Sequence, residues 1–468
     1  MGEPILYGNI PAMLEQDTIC AISTPPGEGG IGIIRISGPK AVPITSKVFK
    51  PRNVQPLDRA KTYTLQYGHI VDPKSGEVCD EAIIGIMRSP TSYTREDVVE
   101  INCHSGMISL RRILETVIAA GARLAEPGEF TQRAFVNGRI DLAQAEAVLD
   151  IITAKTELSH KAALKQLQGG LSTEIASLQD ELITLLASVE AGIDFPDEDI
   201  ETASGTSLAD TVACMITEID KMLSGFAFGQ ILRNGYATAI VGRPNVGKSS
   251  LLNTLLKRDR AIVSEIPGTT RDVLEEYVNS AGIPLRIIDT AGIRHANDTI
   301  EQEGVRRSLA ALASADLALI VLDGSETMTA EDRRVLEEAK EKNFLIVLNK
   351  NDLPRKKFDL DPTWTVVPVS CKNGHGLDDL TNAIADKIFQ NTAMHQEQGW
   401  MINVRHKTAL EQTREHLQHA EASIAAKLSP EFYAADLRSA LDNLGLITGA
   451  TCTEDILKRI FSTFCIGK

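Results

Sequence analysis

Four short motifs, in order between Gly242 and Lys372, contain residue types that bind different parts of a nucleotide. The first, Gly242-Arg-Pro-Asn-Val-Gly-Lys-Ser249, is a phosphate-binding loop, whose glycines let backbone N–H groups point at phosphates. Lys248 is predicted to add a positive charge at the β- and γ-phosphates, and Ser249 to ligate Mg²⁺. This loop by itself predicts only a phosphate ligand.

The three later motifs narrow the predicted ligand to GTP. Asp289-Thr-Ala-Gly292 supplies a carboxylate that can reach Mg²⁺ through water and an N–H that can sense the γ-phosphate. Asn349-Lys-Asn-Asp352 ends in a carboxylate that pairs with two N–H donors of guanine and repels the pattern of adenine. Ser370-Cys-Lys372 is predicted to close over the base. The set therefore favours GTP over ATP.

Two positions differ from the Ras-like pattern. Ile293 stands where Ras-like proteins have a water-orienting glutamine, so another residue must orient the water. The sequence also has no obvious internal arginine finger, although Arg294 is a nearby candidate. Asn245 adds a side-chain carbonyl near the bridge between the β- and γ-phosphates. With backbone carbonyls of residues 264–269 it could hold a monovalent cation that neutralises charge during phosphoryl transfer. The alternative is a surface asparagine that caps the loop.

The elements that must position these motifs follow from the apolar pattern. Residues 13 to about 135 mix short strands with one helix, which predicts a compact α+β domain. Beyond Asp141, apolar residues recur at spacings of four and three, as on the buried side of a long bundle helix. The predicted strands are 18–23, 31–37, 62–70, 81–87 and 98–103, the first helix is 108–120, and the long helix buries Leu171, Ile175, Leu178, Leu182, Leu185 and Val189.

Residues 236 to about 390 alternate strand and helix, and residues 400–464 are again helical by pattern. Predicted strands end at Val241, Asp289, Asp323, Asn349 and Ser370, and ligands bind beyond such ends in a doubly wound parallel sheet. The fold class predicted is multidomain: an α+β domain and an all-α helical domain, the latter interrupted by a Ras-like nucleotide domain with a mainly parallel sheet. The predicted bounds are 1–135, 136–232, 233–390 and 391–468.

Composition limits the partners and the compartment. Residues 166–220 contain twelve acidic residues and no lysine or arginine, so this stretch carries −12 of the net charge of −15. It would repel a phosphate backbone, although a solvated helix face is the simpler interpretation. No apolar run is long enough for a membrane span. Seven scattered cysteines predict reduced thiols and a cytoplasmic location. Met13 is an alternative translation start.

The chain closely resembles the tRNA-modification GTPases of the MnmE (TrmE) family over essentially residues 13–468. Besides the nucleotide motifs, the resemblance rests on Thr269-Thr-Arg-Asp272 and on the final Phe464-Cys-Ile-Gly-Lys468. It also includes Thr24-Pro-Pro-Gly27, Gly29-Gly-Ile-Gly32, Pro127-Gly-Glu-Phe130 and Asp141-Leu-Ala-Gln-Ala-Glu146.

The resemblance implies a homodimer formed through an N-terminal domain that binds a tetrahydrofolate derivative, either 5-formyl- or 5,10-methylene-tetrahydrofolate. It implies nucleotide domains that pair across the dimer and hydrolyse GTP in a K⁺-dependent way. It also implies a hetero-oligomer with an FAD-dependent partner (MnmG). Together the two add an aminomethyl or carboxymethylaminomethyl group at C5 of the wobble uridine of certain tRNAs.

Transferred residue by residue, the resemblance also implies the ligand sets. The water-orienting glutamate falls on Glu301, twelve residues after Asp289. The K⁺ ligands fall on Asn245, Ser264, Ile266 and Thr269, the Mg²⁺ ligands on Ser249 and Thr270, and the folate contacts on Arg35, Glu100, Arg139 and Lys468. The full set of GTP contacts is Asn245, Val246, Gly247, Lys248, Ser249, Ser250, Ser264, Glu265, Ile266, Pro267, Gly268, Thr269, Thr270, Asp289, Thr290, Ala291, Gly292, Asn349, Lys350, Asp352, Ser370, Cys371 and Lys372.

Several of these assignments have simpler alternatives. The family commonly has lysine at the position of Arg139, a swap that keeps the charge but changes the hydrogen-bond geometry. Arg35 alone would be a surface charge, and Glu100 a structural partner for an arginine. Cys465 would act as a nucleophile or redox group if Lys468 or the folate lowered its pKa; otherwise it is a small packed side chain in the C-terminal helix.

Two other functions fit parts of the sequence. An assembly GTPase of the Era or Der kind, in which the nucleotide gates RNA or ribosome binding, would share the asparagine-bearing phosphate loop. The N-terminal domain and the Cys-Ile-Gly-Lys ending argue against it, and neither a KH-like GxxG module nor a basic tail occurs. In the other alternative, residues 13–135 form only a dimerisation scaffold.

Overall fold

The structure is a computed structural model that describes residues 17–52, 56–194, 205–259, 276–288, 310–392 and 400–468. Its N-terminal part is a seven-stranded sheet with the order β3-β4-β5-β6-β2-β1-β7. Neighbouring strands are antiparallel except β1 and β7. The strands are β1 Ile19–Ile22, β2 Gly32–Ser37, β3 Phe49–Pro51, β4 Thr64–Val71, β5 Val78–Met87, β6 Val98–Cys103 and β7 Arg123–Leu124.

Two helices, α1 (Ala41–Val48) and α2 (Met107–Ala119), pack on one face of this sheet and close a core of aliphatic side chains. The predicted strands and α2 are present. The pattern did not predict α1, β3, β7 or the two-turn helix α3 (Glu129–Val136). In α1, Pro43 and several β-branched residues oppose helix formation, but burial of Val42 and Ile44 overrides that local preference.

A helical bundle follows, built from two separate stretches of the chain. The predicted long helix is present as α6, and all six of its predicted core residues are buried in one cluster with residues from beyond the second sheet. The first stretch comprises α4 Leu142–Thr153, α5 Glu157–Leu167, α6 Gly170–Asp194, α7 Gly205–Ser224 and α8 Phe226–Asn234; the second comprises α12 Val404–Ala425, α13 Pro430–Thr448 and α14 Glu454–Phe461.

Between these stretches lies a six-stranded sheet with the order β13-β12-β11-β8-β10-β9. Neighbouring strands in this sheet are parallel, except for the antiparallel pair β9 and β10. Aliphatic clusters cover both of its faces, which explains why its central strands β8, β11 and β12 are nearly continuous apolar runs. Its elements are β8 Tyr236–Val241, α9 Lys248–Asp259, β9 Glu276–Ser280, β10 Ile283–Ile288, β11 Leu317–Asp323, α10 Ala330–Ala339, β12 Phe344–Asn349, β13 Val366–Pro368 and α11 Leu377–Thr392.

The predicted insertion and mainly parallel sheet are therefore confirmed, with one correction. The last strand ends at Pro368, not at Ser370, because Ser370 pairs with His375 in an isolated bridge instead of continuing the ladder. Along the part of the chain that the structure describes, no helix is both long enough and apolar enough to cross a membrane.

Candidate nucleotide site and a second site at the chain end

The phosphate-binding loop joins β8 to the first turn of α9, where backbone N–H groups are available to an anion. Gly242 and Gly247 both have positive φ, +150° and +103°. A Cβ on Gly247 would lie 2.2 Å from Nδ2 of Asn349, and one on Gly242 would lie 2.4 Å from the carbonyl oxygen of Val321. Both positions therefore require glycine on two grounds, backbone conformation and space.

Lys248 is the first residue of α9, and its Nζ donates to the carbonyl oxygens of Gly242 at 2.6 Å and Arg243 at 2.8 Å. Burial lowers the pKa of Lys248. The ammonium is thus held over its own loop by two carbonyls, a short movement from a phosphate bound there. Ser249 follows half-buried and Ser250 exposed. Asn245 is exposed on the loop with a φ of +66°.

Asn349 links the phosphate loop, Gly242–Ser249, to the base loop, Ser370–Lys372. It ends β12 and is only 3% exposed. Its Nδ2 donates to the carbonyl oxygen of Val246 at 2.8 Å, and its Oδ1 accepts the N–H of Cys371 at 3.2 Å. One side chain therefore sets the distance between the two loops that must bind opposite ends of the same nucleotide.

The side chains of Asp352 and Lys350, which are predicted to contact the nucleotide, are each held by a neighbouring side chain. The carboxylate of Asp352 accepts a hydrogen bond from Oγ of Ser370 at 2.8 Å, and this bond lowers the pKa of Asp352. Lys372 adds positive charge nearby. Asp352 is therefore an exposed, ionised carboxylate at neutral pH, as pairing with two N–H donors requires. Lys350, with a φ of +63°, places Nζ 2.6 Å from Oδ2 of the buried Asp323.

The rest of the predicted nucleotide contacts lie outside the described residues. They are Ser264, Glu265, Ile266, Pro267, Gly268, Thr269, Thr270, Asp289, Thr290, Ala291, Gly292 and Glu301, and Ile293 and Arg294 fall in the same ranges. The predicted K⁺ set is therefore described only at Asn245, and the predicted Mg²⁺ set only at Ser249.

The predicted folate residues meet at a second site, on the N-terminal sheet. Arg35 on β2 and Glu100 on β6 are direct cross-strand partners. Nε of Arg35 donates to Oε1 of Glu100 at 3.0 Å, and Nη2 lies 2.9 Å from the same oxygen. Glu100 is therefore a structural partner for an arginine, as the simpler interpretation held. It also belongs to the cluster formed by Arg35, Glu100, Arg139 and Lys468.

Arg139 joins the same site from the loop between α3 and α4. Its guanidinium lies 4.7 Å from the centre of the Tyr93 ring. Arg35 lies 5.6 Å from that ring and 5.7 Å from the ring of Phe130. Two guanidinium groups thus share one aromatic side chain, which adds an apolar ring to this site.

The end of the chain completes this site. Ile466 forms an antiparallel bridge with Pro127, and the carbonyl oxygen of Gly467 accepts from Arg35 Nη1 at 3.3 Å. A Cβ on Gly467 would lie 2.4 Å from the carbonyl oxygen of Ile22, so this position requires glycine. Burial and the charge of Arg35 lower the pKa of Lys468, which also interacts electrostatically with Glu100 and Cys465.

Cys465 is half-buried beside this cluster, and the final helix, α14, ends before it at Phe461. Cys465 therefore lies outside the C-terminal helix, and the prediction that placed it inside that helix is wrong. Its carbonyl oxygen accepts the N–H of Gly128 at 3.4 Å, which holds the last residues against the start of α3.

Comparison with known proteins gives matches over nearly the whole chain. Residues 18–139 match the family model of the GTP-binding protein TrmE N-terminus, and residues 142–465 match that of the MnmE helical domain. The tRNA modification GTPase MnmE of Thermoanaerobacter pseudethanolicus is 49% identical over 457 residues, which are 97% of this chain and 99% of that protein. This chain belongs to the MnmE family.

It is accordingly a GTP-hydrolysing enzyme of tRNA modification, and the match over both ends of the chain disfavours the Era- or Der-type alternative. The MnmE of Geobacillus kaustophilus is 47% identical over 462 residues, 97% of this chain and 100% of that protein. Among solved structures, the G domain of the T. maritima FeoB iron transporter is 25% identical over 34% of this chain and 99% of that chain, with a TM-score of 0.23. The family assignment rests on the sequence relatives.

Sequence analysis of this MnmE-family chain did not assign a role to three residues of the second site. Tyr93 lies in a loop between β5 and β6 and has no motif around it. Phe130 and Gly467 stood inside quoted motifs, but nothing in the sequence indicated that one provides an aromatic face and the other a close backbone approach. The signal that could have found Gly467 is its position next to the terminal lysine in the Cys-Ile-Gly-Lys ending.

Proposed function

We propose that this chain is a K⁺-dependent GTPase that uses the one-carbon unit of a tetrahydrofolate derivative, 5-formyl- or 5,10-methylene-tetrahydrofolate, to modify tRNA. With an FAD-dependent partner of the MnmG kind, in a hetero-oligomer, it adds an aminomethyl or carboxymethylaminomethyl group at C5 of the wobble uridine. The observation that carries this proposal is the cluster of Arg35, Glu100, Arg139 and Lys468, drawn from four distant parts of the chain.

The charges of this cluster fit a folate. Arg35 pairs with Glu100, Arg139 shares the Tyr93 ring with Arg35, and the half-buried Lys468 is destabilised in its charged form by burial and by Arg35. An anionic group that entered would relieve that repulsion, and the glutamate tail of a folate carries carboxylates suited to arginine and lysine. The half-buried Tyr93 offers an apolar ring face at the same place, which a flat heterocycle can use.

Each residue then has a distinct role. Arg139 and Lys468 would hold the anionic tail, and Arg35 would orient Glu100 through the two contacts that it makes with Oε1. Within the described part of the chain no hydrogen bond reaches Oε2 of Glu100, so this oxygen is available to accept from N–H donors of the pterin ring. A bound folate would supply the one-carbon unit that the modification requires.

Calorimetry with 5-formyl-tetrahydrofolate tests this proposal. The full-length protein should bind one molecule per chain, and Arg35→Ala should weaken binding at least about tenfold, because Glu100 loses the charge-assisted contact that orients it. Arg111→Ala is the matched control, since Arg111 is exposed and pairs along its own helix with Glu115. Absence of heat with the unaltered protein would favour residues 13–135 as a dimerisation scaffold alone.

For hydrolysis, we propose that Asn245 holds K⁺ with Ser264, Ile266 and Thr269, that Ser249 and Thr270 hold Mg²⁺, and that Glu301 orients the attacking water. What supports the first assignment is the exposed position of Asn245 and its left-handed backbone, which an asparagine tolerates better than most residues. A cation there would neutralise the charge that other GTPases neutralise with an arginine.

The K⁺ assignment is tested by comparing initial rates of GTP hydrolysis in KCl and NaCl. The unaltered protein should be faster in K⁺, and Asn245→Ala should lose that difference while it still binds nucleotide. Equal rates in both salts would remove the cation from the mechanism. Glu301→Ala should lower kcat strongly with little change in affinity, since it acts on water and not on phosphate.

We propose a homodimer formed by the first of four segments, with bounds at 1–135, 136–232, 233–390 and 391–468. In support, β4 and β5 expose apolar side chains on one face: Tyr67 pairs with Ile83 across the strands, and Leu65 lies beside Gly85. A contiguous apolar face of this kind is typical of an interface. Ile83→Asp should convert the protein to monomers in sedimentation experiments, and an unchanged dimer would place the interface elsewhere.

Cys465 remains the candidate nucleophile or redox group, because it lies beside Lys468 at the proposed folate site. The readout is tRNA modification in cells that carry only Cys465→Ser. Full modification would remove the chemical role, whereas loss of modification with normal folate binding would support it.

A further inference from the structure

Two histidines and one aspartate converge between the last two long helices of the bundle, α12 and α13. His416 and His419 lie three residues apart on α12, which places them on the same side of that helix. Asp436 lies on α13. Both imidazoles direct Nδ1 at the same carboxylate oxygen, Oδ1 of Asp436, at 3.2 Å from His416 and 4.0 Å from His419.

We propose that His416, His419 and Asp436 form a binding site for a divalent transition-metal ion, with Zn²⁺ as the best match. Two imidazole nitrogens and one carboxylate oxygen are ligands that zinc prefers over the oxygen-only sets of Mg²⁺ and Ca²⁺. Within the parts of the chain that the structure describes, these three are the only group of histidine, cysteine and acidic side chains whose ligand atoms approach one another closely enough for a shared ion.

The geometry needs only a small adjustment. Zinc bonds of about 2.0–2.1 Å in a tetrahedral arrangement place neighbouring ligand atoms roughly 3.3 Å apart. His416 and Asp436 already have that separation, and all three ligand atoms lie within 4.8 Å of one another. His419 needs the largest movement to reach the ion, and its side chain is the most exposed of the three, at 61%. Water would complete the coordination, since only three protein ligands are present.

An ion at this site would connect α12 and α13 across a hairpin, because His416 and Asp436 are 20 residues apart in the chain. These helices bury Leu410, Leu417, Leu437 and Leu444 in the same core. The ion would therefore stabilise the helical bundle itself and would touch neither the nucleotide loops nor the cluster around Arg35. Metal binding and folding would be coupled in the usual way, because the three ligands converge only in the folded chain.

The test uses the full-length, nucleotide-free protein after treatment with a chelator and desalting. Zn²⁺ is titrated by calorimetry, and Co²⁺ is titrated by its visible absorption, which reports nitrogen and oxygen ligation. The variants are His416→Ala and Asp436→Asn. The matched control is His160→Ala, which removes an exposed helical histidine from α5.

We expect one Zn²⁺ per chain, an affinity at least about tenfold weaker in each of the two ligand variants, and no change in the control. Saturating Zn²⁺ should also raise the Tm of the unaltered protein and of His160→Ala, but not of His416→Ala. No binding by the unaltered protein, or binding of equal affinity in all variants, would overturn the proposal. In the second case the ion would sit elsewhere, for example in the nucleotide loop.

Discussion

Asn349→Ala is the substitution that most directly tests how this chain prepares its nucleotide site. The side chain makes two neutral hydrogen bonds, one to the carbonyl oxygen of Val246 and one from the N–H of Cys371. Alanine removes both bonds, and the phosphate loop and the base loop are no longer connected to each other. The fold of the sheet should survive, because Asn349 lies at the very end of β12.

The size of the effect follows from the number of bonds. At about 1 kcal/mol for each neutral hydrogen bond, the two contribute roughly 2 kcal/mol to holding the loops at the separation that a nucleotide needs. In the variant, bound nucleotide must restore that separation itself. The Kd for GDP and for GTP should therefore increase about 30-fold.

A fluorescent guanine nucleotide titrated into the full-length protein measures this change. Asn343→Ala is the matched control, since Asn343 immediately precedes the same strand β12, and its Nδ2 donates to the hydroxyl of Tyr236, at 3.3 Å. The control should bind like the unaltered protein. A change of less than threefold for Asn349→Ala would show that the loops hold their separation without this side chain, and the account of the site given above would be wrong.

Three further outcomes are expected. Asp352→Asn should weaken GTP binding and favour xanthosine triphosphate, whose base offers an acceptor to the new amide; competition titrations measure both. Asp150→Asn should lower the free energy of unfolding by about 3 kcal/mol in urea, because Arg233 stays largely buried without its charged partner. Burial raises the pKa of Glu129, but contacts with Arg123, Glu126 and Arg133 lower it below its usual value of 4.5. Its contribution to stability is therefore complete above about pH 4.5 and is lost as the pH falls through the lower folded pKa, so Glu129→Gln should flatten acid unfolding curves.

Much of the nucleotide site could be predicted from the sequence because its parts are local. Each motif consists of consecutive residues at the end of an apolar strand, and parallel strands bring their ends to one edge of a sheet. The predicted ends at Val241, Asp323 and Asn349 are confirmed. The end at Ser370 was two residues late, because Val369 is buried like a strand residue although the ladder has already stopped at Pro368.

The helical bundle was predictable for a related reason. Spacings of four and three put Leu171 and its successors on one side of a helix, and a helix with such a side must bury it. Local pattern does not show what covers that side. The cluster that covers it includes residues of the nearby α7, but also residues of α12 and α13, more than 200 residues further along the chain, after the whole second sheet.

The sequence by itself determined the classes of element, the guanine-nucleotide motifs and, through the N-terminal motifs and the Cys-Ile-Gly-Lys ending, the family. Only the tertiary structure decided that Arg35 pairs with Glu100, that Tyr93 contacts two guanidinium groups, and that the chain end returns to β1 and β2. The physical reason is the sequence separation of these contacts. Register between strands and the docking of a terminus depend on the burial of many side chains at once, and no run of neighbouring residues carries that information.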